Sequence, residues 1–544
     1  MHDFINNFWV FIRLFQEKLI ICILASMLPF FTVMAQSSLP VMEVSADRTI
    51  IYPDRMELTG EESLLDVLLM YPDLMIAGYE DLINGYNLRM DNCPMNGDTR
   101  LILTRMKAKD IAKIQVCDNV GVSKGTIGEG RVLDINMRKY DEGTHGFAQG
   151  EFLGVHDTKQ YGGSALVNAL IGSKKTDLYA NESYRYDEGH KEFLTLHMTN
   201  KFNSRNKLLS YFTQQYVDGR EKYMGRARFF HTFNDMGTEL LLVGGYQYAT
   251  NDGIDSRLPL GIVELNTPLF TKDISFMLGW EGEFLMNRSC TESLGYDEFN
   301  NDFYVQVSWK LPGNKVKLTA GERVMLYNYR LDNKDIVERK HNDVRHNANA
   351  VVTYALTSNH QLQGGYYRKY INPATSALMD VQRYLTDDEW QITKGQLVEN
   401  NINEIKVAYV YSTRKVTTKS EVSYNLLEHG ANYFKMGTSA SMRIGKLSGV
   451  NALLNGGINL YSSAEATYAS ISFSPLLYLP KRWNINTNAV YYTSDSPRYK
   501  QLDTPIYMAV GVNKQIGRAF DVGIQWHDIF YHYGGVEARL LYKF

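Results

Sequence analysis

Long apolar runs are what this sequence most conspicuously lacks. One exists, Leu19–Val33, behind Arg13 and Lys18, and it leads into Val33-Met34-Ala35 before Gln36. A spanning helix needs about 20 apolar residues, so a run of about fifteen is short for one. Small residues at the cut position fit a secretory signal, assigned to residues 1–35. An exported chain with no second run of this kind keeps no helical anchor. Cysteine is equally scarce, with four in 544 residues, which excludes a disulfide scaffold. Cys22 departs with the signal, and Cys93 and Cys117 either pair in an oxidising compartment or stay as two thiols. Proline is low at 13 against Gly 42 and Tyr 37, a balance that favours strands and turns. The net charge of -3 has no basic excess, which argues against a nucleic-acid partner. Charged residues at 22% and a mean hydropathy of -0.30 exclude both a disordered chain and a helical membrane protein.

Catalytic motifs are missing too. There is no His-Glu-x-x-His, no Gly-x-Ser-x-Gly and no cluster at metal-ligand spacing, so no enzyme activity, metal or cofactor is expected. His341 and His346, with Asp343 and Arg345, read as a solvated charged loop. Gly125-x-x-Gly128-x-Gly130 does not match the nucleotide fingerprint, and a strand follows it where a phosphate site needs a helix N-terminus.

What is present falls into two parts. Residues 36–58 read as a polar, extended segment that includes Val41–Ala46. Thr59-Gly60-Glu61-Glu62 has the form of a capping box and predicts a helix through Leu64, Leu65, Val67, Leu68 and Leu69, closed by Pro72. Strands are predicted at Leu74–Ile76, Leu101–Leu103, Lys113–Cys117 and Val132–Met137, with a helical turn at Ala108–Ile111 and a polar loop from Gly78 to Asp98. Residues 59–140 are thus a small mixed α/β unit.

From Gly143 onward the period is two. Phe303, Val305, Val307, Trp309 and Leu311 alternate with polar residues, as do Ile405, Val407, Tyr409 and Tyr411. Trp483, Ile485, Ala489 and Tyr491, then Phe520, Val522, Ile524 and Trp526, repeat the pattern. Val536, Ala538, Leu540, Tyr542 and Phe544 end the chain the same way. Runs of about ten residues, apolar on one face only, fit tilted strands between lipid and a polar lumen. A barrel entered and left from the periplasm needs an even number of strands. A count of 21 becomes 22 once Leu258–Thr267 is added, and the tight turns then fall on the periplasmic side. The longer connections 251–256, 288–299, 331–344, 372–401 and 495–503 then fall outside. The expected fold is mostly β: a 22-stranded antiparallel transmembrane barrel over 143–544. Such a barrel is too wide for its own side chains to fill, so the α/β unit is expected as its plug.

The sequence resembles the TonB-dependent receptor family of outer-membrane transporters. Glu62–Val67 through Pro72-Asp73-Leu74 is similar to the opening helix of that family's plug, with Asp73 where glycine is usual. Lys109–Val116 and Gly121–Ile135 resemble its later plug segments, and Lys394–Leu397 with Asn403, Glu404 and Tyr409 a late barrel step. The resemblance covers about 40–544. It implies an outer-membrane location, TonB as partner through Val41, Glu43 and Val44, and uptake of an iron chelate, cobalamin or glycan. It places ligand contacts in the plug loop at Tyr79, Tyr86, Arg89 and Asn92. It marks Tyr542 and Phe544 as the signal read by the barrel assembly machinery, and it allows a surface lipoprotein partner. A clear TonB box is missing and the outer loops are short for the family. The alternative expectation is a plugged barrel with a structural or partner-binding role and no energised transport.

Overall fold

A computed structural model describes most of residues 40–543. Outside the described residues lie 1–39, 45–47, 57–62, 70–85, 91–92, 95–102, 118–130, 139–142, 372–399, a few single positions, the tips of several wall hairpins, and Phe544.

Six short strands form the first sheet: β1 (Met42–Val44), β2 (Thr49–Ile51), β3 (Tyr86–Met90), β4 (Cys93–Pro94), β5 (Ile111–Cys117) and β6 (Arg131–Met137). Their spatial order is β1-β2-β5-β6-β3-β4. β3 runs parallel to β6, and the other pairs are antiparallel. The expected helix is present as α1 (Leu64–Leu69), which buries Leu64, Val67 and Leu68 completely. Leu103, read as the end of a strand, is helical and buried; three apolar residues in a row carry no period that separates the two states. Residues 42–51 do not stand apart as a periplasmic segment, as the sequence suggested, because β1 and β2 are the outer strands of this same sheet. The sheet order also corrects the disulfide expectation. Cys93 on β4 and Cys117 on β5 are separated by β3 and β6. Three strand spacings are roughly 14 Å, twice the span a disulfide can bridge.

From β7 (Gly143–Val155) to β28 (Gly535–Lys543), each strand pairs with the next, and β28 returns to β7 with Ala538 opposite Phe152 and Lys543 opposite Phe147. Among the described residues the closed sheet has 22 strands. The strand added for parity is present as β14 (Ile254–Pro268). Alternation explains the wall. On β16 (Leu294–Lys310), Phe303 and Trp309 are 51% and 43% exposed, whereas Asp302 and Tyr304, on either side of Phe303, are 1% and 2%. On β28, Val536, Leu540 and Tyr542 face out and Glu537 faces in. The outward set makes the apolar band that lipid requires. No helix among the described residues is long and apolar enough to span.

The wall is uneven. β15 (Ile274–Ser289), β16, β17 (Val316–Asn333) and β18 (Ile336–Ala355) have 16, 17, 18 and 20 residues, whereas β27 (Phe520–Trp526) and β28 have 7 and 9. Positions 331–344, expected as an outer loop, are mostly strand, and so are His341 and His346, read as a charged loop: β17 and β18 continue to within two residues of each other. Above the band both faces meet water, so charges there do not argue against a strand.

The small sheet is attached to the inside of this wall. Its core of Leu64, Val67, Leu68, Ile111, Ile114, Leu133 and Ile135 is continuous with the wall residues Val410, Leu476 and Tyr478. β1 also bonds to β19 (His360–Ile371) and β20 (Asn400–Ser412). The Met42 N–H donates to Ser412 Oγ at 2.8 Å, and the Val44 N–H to Gln361 Oε1 at 2.9 Å.

Candidate functional site between the plug and the wall

The register of the tall side concentrates charge on the lumen face. β12 (Arg220–Thr232) carries Arg226 and Arg228, two residues apart and so on one face. Across β13 (Glu239–Asn251) and β14, Arg228 aligns through Val243 and Ile262 with Glu281 on β15, which faces Asp302 on β16. One rung higher, Arg226 aligns through Gly245 and Leu260 with Glu283. Gly245 makes room: a Cβ there would lie 2.6 Å from Arg226 Cγ, so the arginine stem lies flat across it. Gly279 does the same for the Tyr304 ring, which crosses β15 and donates from its hydroxyl to Glu264 Oε2 on β14 at 2.9 Å.

Arg323 on β17 closes the acidic side. It is 1% exposed, its Nε donates to Asp302 Oδ2 at 2.7 Å, and its guanidinium pairs with both Glu281 and Asp302. A buried cation with two carboxylates is strongly coupled in this low-dielectric setting.

Arg89 of the plug lies within the electrostatic range of this wall. It was placed in a polar loop by the sequence, but it sits on β3, buried, because Tyr86–Met90 pairs with β6 and packs Leu88 and Met90 inward. Burial first, and then the Arg228 cation, lower the Arg89 pKa, with Asp134 opposing, Arg226 adding and Glu281 opposing, to about 10 in all. Arg89 therefore lies in the field of both arginines of β12 and of Glu281. Asp134, fully buried in the plug, accepts from Gln115 Nε2 at 3.3 Å. The Nε–H groups of Arg226 and Arg228 are buried with no acceptor among the described residues, as are the Glu281 Oε1 and Asp302 Oδ1 lone pairs. Such leftover valence is the chemistry of a site that takes a polar guest or ordered water.

Of the other expected ligand contacts, Tyr79 and Asn92 lie outside the described residues. Tyr86 is the first residue of β3, and its side chain also lies outside them. Arg226, Arg228, Glu281 and Glu283 were not anticipated. Their signal was there, as like charges two residues apart with Ala227 and Gly282 between, but single-strand patterns do not say which strands share a rung.

The expected TonB contact Val41, Glu43 and Val44 is built into structure. Val41 is buried and its carbonyl accepts from the Tyr52 N–H at 2.8 Å. Glu43 pairs with Arg55 at 2.8 Å and accepts from the Tyr52 hydroxyl at 3.3 Å. Burial, and then the Glu43 carboxylate, raise the Tyr52 pKa. Tyr542 faces outward beside Phe520, with ring centroids 5.1 Å apart, and Phe544 lies outside the described residues.

No family model matches the sequence, and no curated protein matches it. Solved structures do. The siderophore receptor PirA from Pseudomonas aeruginosa matches with a TM-score of 0.64 at 11% identity, over 92% of this chain and 100% of its own. The alcaligin outer-membrane receptor FauA from Bordetella pertussis matches with a TM-score of 0.61 at 11% identity, over 92% and 95%. The ferric-catecholate import receptor Fiu from E. coli K12, in its open form, matches with a TM-score of 0.62 at 11% identity, over 94% and 100%. The chain has the fold of the TonB-dependent outer-membrane receptors, the family its motifs resemble. The fold is that of an outer-membrane barrel whose structural neighbours are transport receptors and not enzymes.

Proposed function

We propose that the chain is an energised outer-membrane receptor that takes up a scarce anionic iron chelate. The observation that supports this reading most is the wall pair Arg226 and Arg228, which lies in the field of plug Arg89 and whose buried Nε–H donors suit carboxylate or catecholate oxygens. A lumen occupied by a plug passes nothing until the plug is remodelled. TonB is the proposed source of that work, acting on the segment that begins at β1. Because β1 is hydrogen-bonded to β2, Ser412 and Gln361, engagement by TonB has to strip these bonds first.

The test is binding of ferric citrate and a ferric catecholate by the purified protein, read by quenching of tryptophan fluorescence. Arg226→Ala with Arg228→Ala is expected to weaken binding at least tenfold, about 1.4 kcal/mol. A natural chain that binds neither chelate, and whose loss leaves growth on both unchanged, overturns the reading; cobalamin and glycan serve as competitor ligands. Deleting residues 36–44 should abolish capture by TonB.

One observation favours the second reading, a plugged barrel that serves a surface partner such as a lipoprotein. Outer connections as short as two residues, at 218–219, 252–253 and 334–335, offer little surface for ligand capture. That reading stands if the natural chain binds neither chelate nor TonB yet retains a surface protein through purification. Under both readings Tyr542 and Phe544 are proposed as the assembly signal. Removal of Phe544 should lower abundance in the outer membrane and leave the affinity of the assembled fraction unchanged.

A further inference from the structure

One outward-facing pair on the wall does not suit lipid. Glu322 on β17 and His346 on β18 are bonded to each other, Glu322 Oε1 to His346 Nδ1 at 3.2 Å, and their side chains are 55% and 42% exposed. They do not turn into the lumen: their chain neighbours Arg323 and Arg345 do, and are buried. Nor do they stand at the rim of the apolar band. On the same face the exposed Leu326 and Val344 lie above them, and Val352 and Tyr354 below. Glu322 is six residues along β17 from Val316. At the ~2.5 Å axial rise of a strand tilted by about 40°, that is roughly 15 Å above the periplasmic edge, near the middle of a band about 25 Å tall. Hydrocarbon cannot solvate the polar atoms that the mutual bond leaves over, so ionisable groups at this depth are expected to meet a partner.

The surroundings indicate which partner. Ala348 lies directly opposite Glu322, and Ala320 and Ala350 form the next outward pair below it. Small side chains leave a shallow depression in which another backbone can approach. An acid beside a base makes the patch self-complementary under a two-fold axis. With the axis along the membrane normal between β17 and β18, Glu322 of one copy faces His346 of the partner subunit, and the partner's Glu322 faces His346. We propose that this face is where two copies of the chain pair within the membrane.

The test uses the full chain in native outer membranes and in lipid nanodiscs. Cysteine at Ala320 (Ala320→Cys) should give an oxidatively cross-linked dimer on denaturing gels. Cysteine at Ala227 (Ala227→Cys), which is exposed on the outer face of β12, should not. In nanodiscs the natural chain should have the mass of a dimer. The double variant Glu322→Leu/His346→Leu should weaken self-association at least tenfold while keeping the heat-modifiable gel mobility of a folded barrel. A natural chain that is monomeric in nanodiscs, a dimer that survives the double variant, or equal cross-linking at both cysteines overturns the proposal. Should the double variant fail to fold, the two cysteine variants decide the matter alone.

Discussion

The two sides of the lumen hold the plug by different physics. Along β12 to β17 the inward side chains are ions, with Arg226 and Arg228 facing Glu281, Glu283, Asp302 and Arg323. From β20 (Asn400–Ser412) to β25 (Trp483–Tyr492) the buried inward residues include the apolar Val410, Leu476 and Tyr478 and the small Ser439, Ser441, Ser472 and Ser474, and the ions of this arc, Lys406 and Lys419, are paired with Glu421. The plug core continues directly into the second side and is tied to it by β1. An apolar contact is non-directional and tolerates small shifts. A buried ion network does not, since each lost partner leaves a charge unmatched. The apolar contact at Val410, Leu476 and Tyr478 is therefore the fixed seat, and the side with unused donors and acceptors is where a change of plug position or a bound anion is felt.

Four destabilising substitutions, in falling order of effect, test that contrast, with one charge-removing rescue and one near-neutral control beside them. Arg323→Leu strands Glu281 and Asp302 and should cost about 4 kcal/mol, read by urea unfolding of the reconstituted barrel through tryptophan fluorescence. Adding Glu281→Gln and Asp302→Asn should restore most of it, and no restoration would mean that packing and not charge holds this side. At the apolar seat, Leu476→Ala should cost about 3 kcal/mol by opening a cavity under the plug, seen as faster protease cleavage of the plug with the wall intact. Gly279→Ala should cost about 2 kcal/mol by driving Tyr304 off its seat and away from Glu264. Gly225→Ala, where a Cβ meets nothing within 4 Å, should be near neutral, and equal unfolding midpoints for the two would refute the seat. Ser474→Ala removes a bond to Asn488 Oδ1 of 2.8 Å and should cost about 1 kcal/mol in the same titration.

The wall was legible because lipid enforces the two-residue period on every strand. Phe303, Val305, Val307 and Trp309 face outward as expected, and β14 stands where an even strand count requires one. The top of the β17–β18 hairpin was misread as loop because the period loses its apolar half above the band. The site was less legible. Arg226 and Glu283 share a rung only through the stagger of three intervening pairings, and that stagger is a property of the closed sheet. Arg89 looked like a loop residue among Asn and Asp. Its burial follows from pairing with β6, a parallel contact across a long separation that no local pattern announces. For Cys93 and Cys117 the sequence leaves pairing open, and the two strands between them decide against it.

The seam between β28 and β7 bears on biogenesis. Until Gly535–Lys543 pairs with Phe147–Val155, the wall is an open curl with two raw edges. Such edges are templates for pairing with any other strand, so the nascent barrel is an aggregation hazard over most of its manufacture. Because the segment that forms the plug precedes the wall, it has to be inside the curl when the seam zips. A variant that delays this last pairing should thus be detected by periplasmic proteases and chaperones as a quality-control client, even if the barrel, once shut, is fully stable.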